Sequence, residues 1–349
     1  MTWEPEILSA NDPHLPPPRR QPEKKNKPKQ RWFLHLLLFT LTFISAMWSQ
    51  IQPLPGEDFF ELITGPLANP ERLMHGLPFA TTLMAILLAH EMGHYLTARR
   101  YGVDQSLPYF IPAPTIFGTL GAIILMRSQP ETRRDLLNVA VMGPYAGIIL
   151  AIPAAAWGLA HSIPIEPEQM QPGQLWFGSS ILFSFLENHF SPNGSDVMLH
   201  PVAFAGWVGM FVTSLNLIPA AQLDGGHVAY SLFGRWQEMI SRIIVLGLIG
   251  VGFYLGTGKG TIWIFWGILL LLFGLRHPPV QNESFPLSKG QKANAIFALV
   301  LFVLTFIPVP IEIVGLDEIN KNPAQQAPLE QQELPAVPSP ENAAEEFKL

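Results

Sequence analysis

Leu83-Met84-Ala85-Ile86-Leu87-Leu88-Ala89-His90-Glu91-Met92-Gly93-His94 decides how this chain is read, because a two-histidine metal motif closes a run that carries no charge. On an α-helix, residues four apart lie on one face, so His90 and His94 can turn both imidazoles toward one ion with Glu91 beside them. A carboxylate facing lipid is expensive, and the helix closes only at Arg99-Arg100. The polar groups in its middle therefore need a polar partner inside the fold.

The surrounding composition is that of a membrane protein. Charged residues make up 14% and apolar residues 48% of the 349 positions, against roughly 25% charged in a soluble domain. Cysteine is absent, which excludes disulfides and thiolate ligands and leaves His, Asp, Glu or water to hold a metal. The net charge of −6 is segregated along the chain, and no nucleic-acid partner is expected.

Apolar runs near the length a bilayer requires, about 20 residues, fall at 32–50, 73–98, 136–160, 200–219, 237–256, 261–275 and 293–310. This predicts an all-α polytopic membrane protein of about seven transmembrane helices. The first run follows a long basic arm and ends in Trp48-Ser49-Gln50, so it reads as a retained span rather than a cleaved signal. If every run crosses once, Arg19 to Arg31, Arg99, Arg100, Arg127, Arg133, Arg134, Arg235, Arg276, Lys289 and Lys292 share one side. Glu57, Asp58, Glu61, Glu166, Glu168, Glu187 and Asp196 share the other, where Lys259 is the basic exception. The positive-inside rule then makes the amino terminus and the metal motif cytoplasmic, in a plasma or an internal, thylakoid-type membrane.

Between the second and third spans, Leu107-Pro108-Tyr109-Phe110-Ile111-Pro112-Ala113-Pro114 cannot form a regular helix. Gly118-Thr119-Leu120-Gly121-Ala122-Ile123-Ile124-Leu125-Met126 is too short for a span and too apolar for a solvated loop. A re-entrant loop or β-hairpin lining a cavity is expected, since such backbone is not tolerated against lipid. Asn69-Pro70-Glu71 reads as a capped helix start. Gly143 and Gly147, four apart in the third span, are expected to admit a neighbouring backbone.

Zinc needs at least three protein ligands, and the motif offers two. Asp224 is the outstanding candidate for the third, in Asn216-Leu217-Ile218-Pro219-Ala220-Ala221-Gln222-Leu223-Asp224-Gly225-Gly226-His227 directly after the fourth span. Pro219 breaks the helix and the glycine pair permits a turn back. His227 could approach the site, but two residues of turn separate it from Asp224 and three ligands are already in hand, so it is set aside. His14, His35, His75, His161, His189, His200 and His277 are isolated and read as structural or interfacial.

The His90-Glu91-Met92-Gly93-His94 helix followed by Asn216, Pro219 and Leu223-Asp224-Gly225-Gly226 resembles the site-2 protease family of intramembrane zinc metalloproteases. Gly118-Thr119-Leu120-Gly121 through Arg127-Ser128, with Met142-Gly143-Pro144, is most similar to its cyanobacterial and plastid branch. The resemblance implies that His90, His94 and Asp224 hold one zinc ion, that Glu91 is the general base toward water, and that Asn216 stabilises the oxyanion or positions the substrate backbone. It implies a transmembrane protein substrate, with a membrane-anchored regulatory protein among the candidates. Because a substrate helix must be unwound before attack, the 109–127 segment is expected to offer an edge to which it adds as a strand. The outer loop 161–199 is too short for the PDZ module that some members insert.

The chain is accordingly divided into a disordered, proline-rich basic cytoplasmic arm (1–31), a first span with its outer loop (32–70), a catalytic membrane core (71–234), additional transmembrane helices (235–311) and a disordered acidic tail (312–349). The competing reading is a metal-ion or proton transporter built on the same His/Glu/Asp cluster. It lacks the internal repeats expected of transporters. A zincin with a downstream Glu ligand fares no better, since Glu131 and Glu238 sit beside basic residues.

Overall fold

The computed structural model describes residues 30–313 apart from 52, 53, 55, 166–174, 193–196, 257 and 284. The expectations for the two tails fall almost wholly outside these residues, as do Glu166, Glu168 and Asp196. The described elements are α1 (Trp32–Trp48), α2 (Phe59–Ala68), α3 (Pro70–Met74), α4 (Leu77–Arg100), β1 (Tyr109–Pro112), β2 (Thr119–Ile123), α5 (Arg133–Ala160), β3 (Ile163–Pro164) and β4 (Leu175–Phe177). There follow α6 (Ile181–Phe190), β5 (Val197–Met198), α7 (Pro201–Leu217), α8 (Asp224–Phe233), α9 (Gln237–Leu255), α10 (Thr261–Phe273), α11 (Lys289–Thr305) and β6 (Ile311–Ile313). Two helical stretches are long and apolar enough to cross a membrane, Arg133–Ala160 and Asp224–Leu255, the second running through a tight turn at Gly234–Trp236.

The chain is predominantly helical but not all-α. Three two-stranded antiparallel sheets pair β1 with β2, β3 with β5 and β4 with β6. Only the first lies where the sequence suggested a hairpin; the other pairs are too short to leave a periodic signature. Sequence patterning also misses α2 and α6, which are short helices within loops.

A three-helix core of α4, α5 and α7 positions the site. Backbones meet where side chains are smallest: a Cβ added to Gly206 would stand 2.6 Å from the Ala155 backbone nitrogen. Gly158 likewise faces the backbone of Ala203, and such small residues are what let membrane-type helices pack closely. Around these contacts Leu83, Leu137, Leu159, Trp207 and Met210 are fully buried.

Helix starts follow local chemistry. Thr132 caps α5 by accepting from the Asp135 amide at 3.2 Å, and His200 caps α7 by accepting from the Val202 amide at 3.2 Å ahead of Pro201. The Asn69 expectation is corrected. Pro70 and Glu71 do begin α3, but Asn69 makes no side-chain cap. The helix stops at Met74, whose carbonyl would need an i+4 donor that Pro78 cannot supply, and α4 starts afresh at Leu77-Pro78, with Gly76 between them lying against the backbone of Met47.

In the β1–β2 hairpin, Tyr109 pairs with Ile123, Phe110 with Ala122 and Pro112 with Thr119, with a bulge between Phe110 and Pro112. β1 packs on α1: Phe39 meets Phe110 edge-on with centroids 5.1 Å apart, and the His35 Nδ1–H donates to the Pro108 carbonyl at 3.1 Å. Gly118, at φ +70°, lies against the backbone of Ser45 and Ala46, whereas Gly121, at φ +90°, has open space around it.

Candidate metal centre

α4 presents His90, Glu91 and His94 on the face turned to α5, α7 and α8, and all three line a cavity of about 270 Å³. His90 and Glu91 are buried. Asn216 at the end of α7 and Asp224 at the start of α8 line the same cavity, with Gln105, Ala122, Ile123 and His227. The structure thus brings together all five residues singled out in the sequence.

The ligand atoms form a near-equilateral triangle. His94 Nε2 lies 3.2 Å from His90 Nε2 and 3.2 Å from Asp224 Oδ2, and His90 Nε2 lies 3.4 Å from that same oxygen. Three donors bonded tetrahedrally to one zinc at about 2.0–2.1 Å would be spaced by about 3.3 Å. The fit is also chemical. Two imidazole lone pairs and a carboxylate converge on one point, which suits a cation. Asn216 Nδ2 is 3.1 Å from His90 Nε2, which places its amide at the edge of the triangle.

The imidazoles are oriented from behind. His94 Nδ1–H donates to the Val139 carbonyl at 2.9 Å, which fixes the tautomer that leaves Nε2 free to ligate. Gly143 and Gly147 do not receive a neighbouring backbone, as their spacing suggested; they receive the two rings. A Cβ on Gly143 would overlap the His94 imidazole, and one on Gly147 would stand 3.2 Å from His90 Nδ1.

Asp224 reaches the triangle by a different route. After α7 ends at Leu217, the chain folds back through Ile218–Leu223, and α8 begins at Asp224. The glycine pair acts by close approach rather than by its backbone freedom. Gly225 lies against the Leu217 and Ile218 carbonyls and Gly226 against those of Ala220 and Ala221, while the positive φ of the turn, +53°, falls on Ala221. That turn is pinned by α9: Ser241 Oγ accepts from the Ala221 amide at 3.0 Å and Gln237 Nε2 donates to the Ala221 carbonyl at 3.0 Å. Gln237 and Ser241 carried no sequence signal, since polar residues one helical turn apart in an apolar span look like ordinary packing.

His277 is not isolated. Its Nε2 lies 2.6 Å from His227 Nδ1, and its ring stacks on Tyr230 with centroids 4.1 Å apart. The segment carrying it is tied beneath the site by Tyr230 to Glu283 at 2.5 Å, Arg133 to the Glu283 carbonyl at 3.2 Å and Arg134 to the Pro286 carbonyl at 2.8 Å. The pair was hidden because 50 residues separate its members.

A helical scaffold thus holds a His-His-Asp triangle that could take a metal ion beside a buried glutamate, and comparison with known proteins places the chain in a matching class. The model of peptidase family M50, which contains the site-2 proteases, matches residues 78–256. The chain belongs to this family. It is 32% identical over 304 residues to the probable zinc metalloprotease EGY1, chloroplastic, of Arabidopsis thaliana, covering 80% of this chain and 53% of that protein. It is 28% identical over 309 residues to the probable zinc metalloprotease EGY2, chloroplastic, of the same plant, covering 85% and 52% respectively. The chain spans about half the length of these relatives.

Proposed function

We propose that this protein is an intramembrane zinc metalloprotease that hydrolyses a peptide bond in or near a transmembrane segment of a membrane-protein substrate. The observation that carries this reading is the triangle of His90, His94 and Asp224, with donor spacings of 3.2 to 3.4 Å. Zinc held there would polarise the scissile carbonyl and acidify a water. Glu91, buried in the same cavity, takes that water's proton as general base and returns it to the leaving amine. Asn216 offers its Nδ2–H to the developing oxyanion or to the substrate backbone.

Seven crossings are supported by which loops touch. β3 pairs with β5, β4 pairs with β6, and Lys259 meets Glu312 at 2.7 Å. These contacts join the segments after α5, before α7, after α9 and after α11, which alternate crossing assigns to one side. On the other side, Thr132 bridges Asn282, and Gln281 Nε2 donates to the Gln129 carbonyl at 3.3 Å. In this arrangement the helices of the core 71–234 and the later helices of 235–311 cross alternately, with the site toward the cytoplasmic or equivalent face. The relatives' names make a plastid-type internal membrane the favoured location.

β1 is occupied by α1, whereas β2 contributes Ala122 and Ile123 to the cavity wall. A substrate segment unwound from its helix adds as a strand to β2 and is thereby led to the metal. The test is Glu91→Gln in membranes holding a tagged single-span substrate, with zinc measured in parallel. Cleavage abolished with zinc retained is expected; persisting cleavage overturns the mechanism.

A further inference from the structure

Resting on that protease reading, we propose that His227 is a substrate-binding residue whose Nε2 accepts a hydrogen bond from a backbone N–H of the extended peptide, and that His277 is the positioning residue that aims it. His227 follows Asp224 by three residues on α8, so both side chains share one helix face, and His227 lines the cavity with Glu91 and Asn216.

The hydrogen-bond chain behind it fixes which nitrogen is free. The Pro278 carbonyl can only accept, so His277 Nδ1, 2.5 Å away, carries the hydrogen. Burial lowers the pKa of His277, whose loop lies outside the spanning helices. The neutral ring then has a bare Nε2 that must accept from His227 Nδ1–H at 2.6 Å. A neutral His227 protonated on Nδ1 presents a lone pair on Nε2. No protein donor to that atom occurs among the described residues.

A peptide added along β2 satisfies one edge by the strand pairing, and the N–H groups of its other edge need acceptors once water is excluded. His227 supplies a neutral acceptor there. Its ring cannot swing away, because His277 is gripped by Pro278, by the Tyr230 stack and by Gln237 Oε1, which accepts from the His277 amide at 3.3 Å.

The test measures kcat, KM and zinc content for the full chain in membranes, with the single-span substrate and with Glu91→Gln as inactive control. His227→Leu is expected to keep zinc at the wild-type level and raise KM by roughly tenfold, the upper end for one hydrogen bond, with kcat nearly unchanged. His227→Gln, which restores an acceptor near the Nε2 position, should recover most of the loss. His277→Leu should raise KM by a few-fold and add nothing on top of His227→Leu. An unchanged KM, loss of zinc in both His227 variants, or additive effects of the two leucine changes overturns the assignment. A wild-type chain that cleaves nothing overturns the protease reading itself, and the assignment with it; cleavage by wild type with full activity in His227→Leu overturns the assignment alone.

Discussion

On the α4–α5 side of the cavity, two imidazoles rest in sockets made by missing side chains, Gly143 against the Nε2 end of His94 and Gly147 against the Nδ1 side of His90. On the α8 side, one carboxylate hangs from a folded-back turn that Gln237 and Ser241 hold by hydrogen bonds from a separate helix. The first wall is set by packing within the three-helix core and has no room for added volume at Gly143 and little at Gly147. The second is set by polar clamps and tolerates no lost donor or acceptor. In the proposed metal site, the geometry would thus depend on α9 as well as on the core, although α9 carries none of His90, His94 and Asp224.

The largest expected effect attacks the packed wall. Gly143→Ala puts a methyl group into the His94 ring, while at Gly147 a methyl group meets His90 at 3.2 Å and the ring need yield only slightly. Zinc affinity, measured by competition with a chelator, should fall on the order of 100-fold for Gly143→Ala and by only a few-fold for Gly147→Ala. Equal losses at the two positions would break the distinction between a filled socket and a merely close one.

The clamped wall is probed by Gln237→Leu. It strips a partner from the buried Ala221 carbonyl and the His277 amide at once, and each buried group left unpaired costs about 1–3 kcal/mol. Thermal stability should drop clearly and zinc affinity by about tenfold, while Ser241→Ala, which orphans the Ala221 amide and takes one acceptor from Gln237 but leaves its bond to the Ala221 carbonyl, should fall between wild type and Gln237→Leu. If Gln237→Leu lowered stability and left zinc untouched, the clamp would be part of the fold but not of the metal site.

The two walls were unequally legible in the sequence. His90 and His94 announce themselves by helical spacing, and Asp224 by being an acid after an apolar span, so the three residues whose donor atoms converge in the structure could be singled out. What held them could not. The sockets were visible as Gly143 and Gly147, but spacing alone suggested a helix neighbour rather than an imidazole. Gln237, Ser241 and the His227–His277 pair depend on contacts across 16 to 50 residues of chain, and nothing local distinguishes a clamping glutamine from any other polar residue at a helix start. The hairpin was legible from its prolines and glycines, yet the pairing of β4 with β6 joins segments over a hundred residues apart.

A smaller effect separates packing from strand addition on the hairpin. Gly118→Val collides with α1 as well as straining the backbone, so it should disturb folding. Gly121→Val has open space and suffers only at φ +90°, so it tests the edge itself. Cleavage should fall several-fold in Gly121→Val with zinc content unchanged, read by single-turnover assay beside metal analysis. Unchanged cleavage would detach β2 from substrate presentation and leave the metal walls as the whole of the site.

The smallest effect is expected away from both walls, at the pair Glu57 and Arg72 in the segment between α1 and α4, 2.6 Å apart. The hydrogen bond and charge of Arg72 and the Leu54 amide draw the Glu57 carboxyl down from 4.5 to about 2. A depressed folded-state value means that the pair's contribution is complete above the ordinary carboxylate pKa and is lost as pH falls from about 4.5 toward 2. The pair lies near the surface, the Arg72 and Glu57 side chains 17% and 7% exposed, and a single bridge in such a place contributes little. Glu57→Gln should therefore leave zinc content and cleavage at neutral pH as they are, and the slight stability difference from wild type should vanish in acid. If instead Glu57→Gln altered zinc content, the outer loop would be coupled to the ligand walls, and the division between a packed wall and a clamped wall would no longer describe how the metal geometry is set.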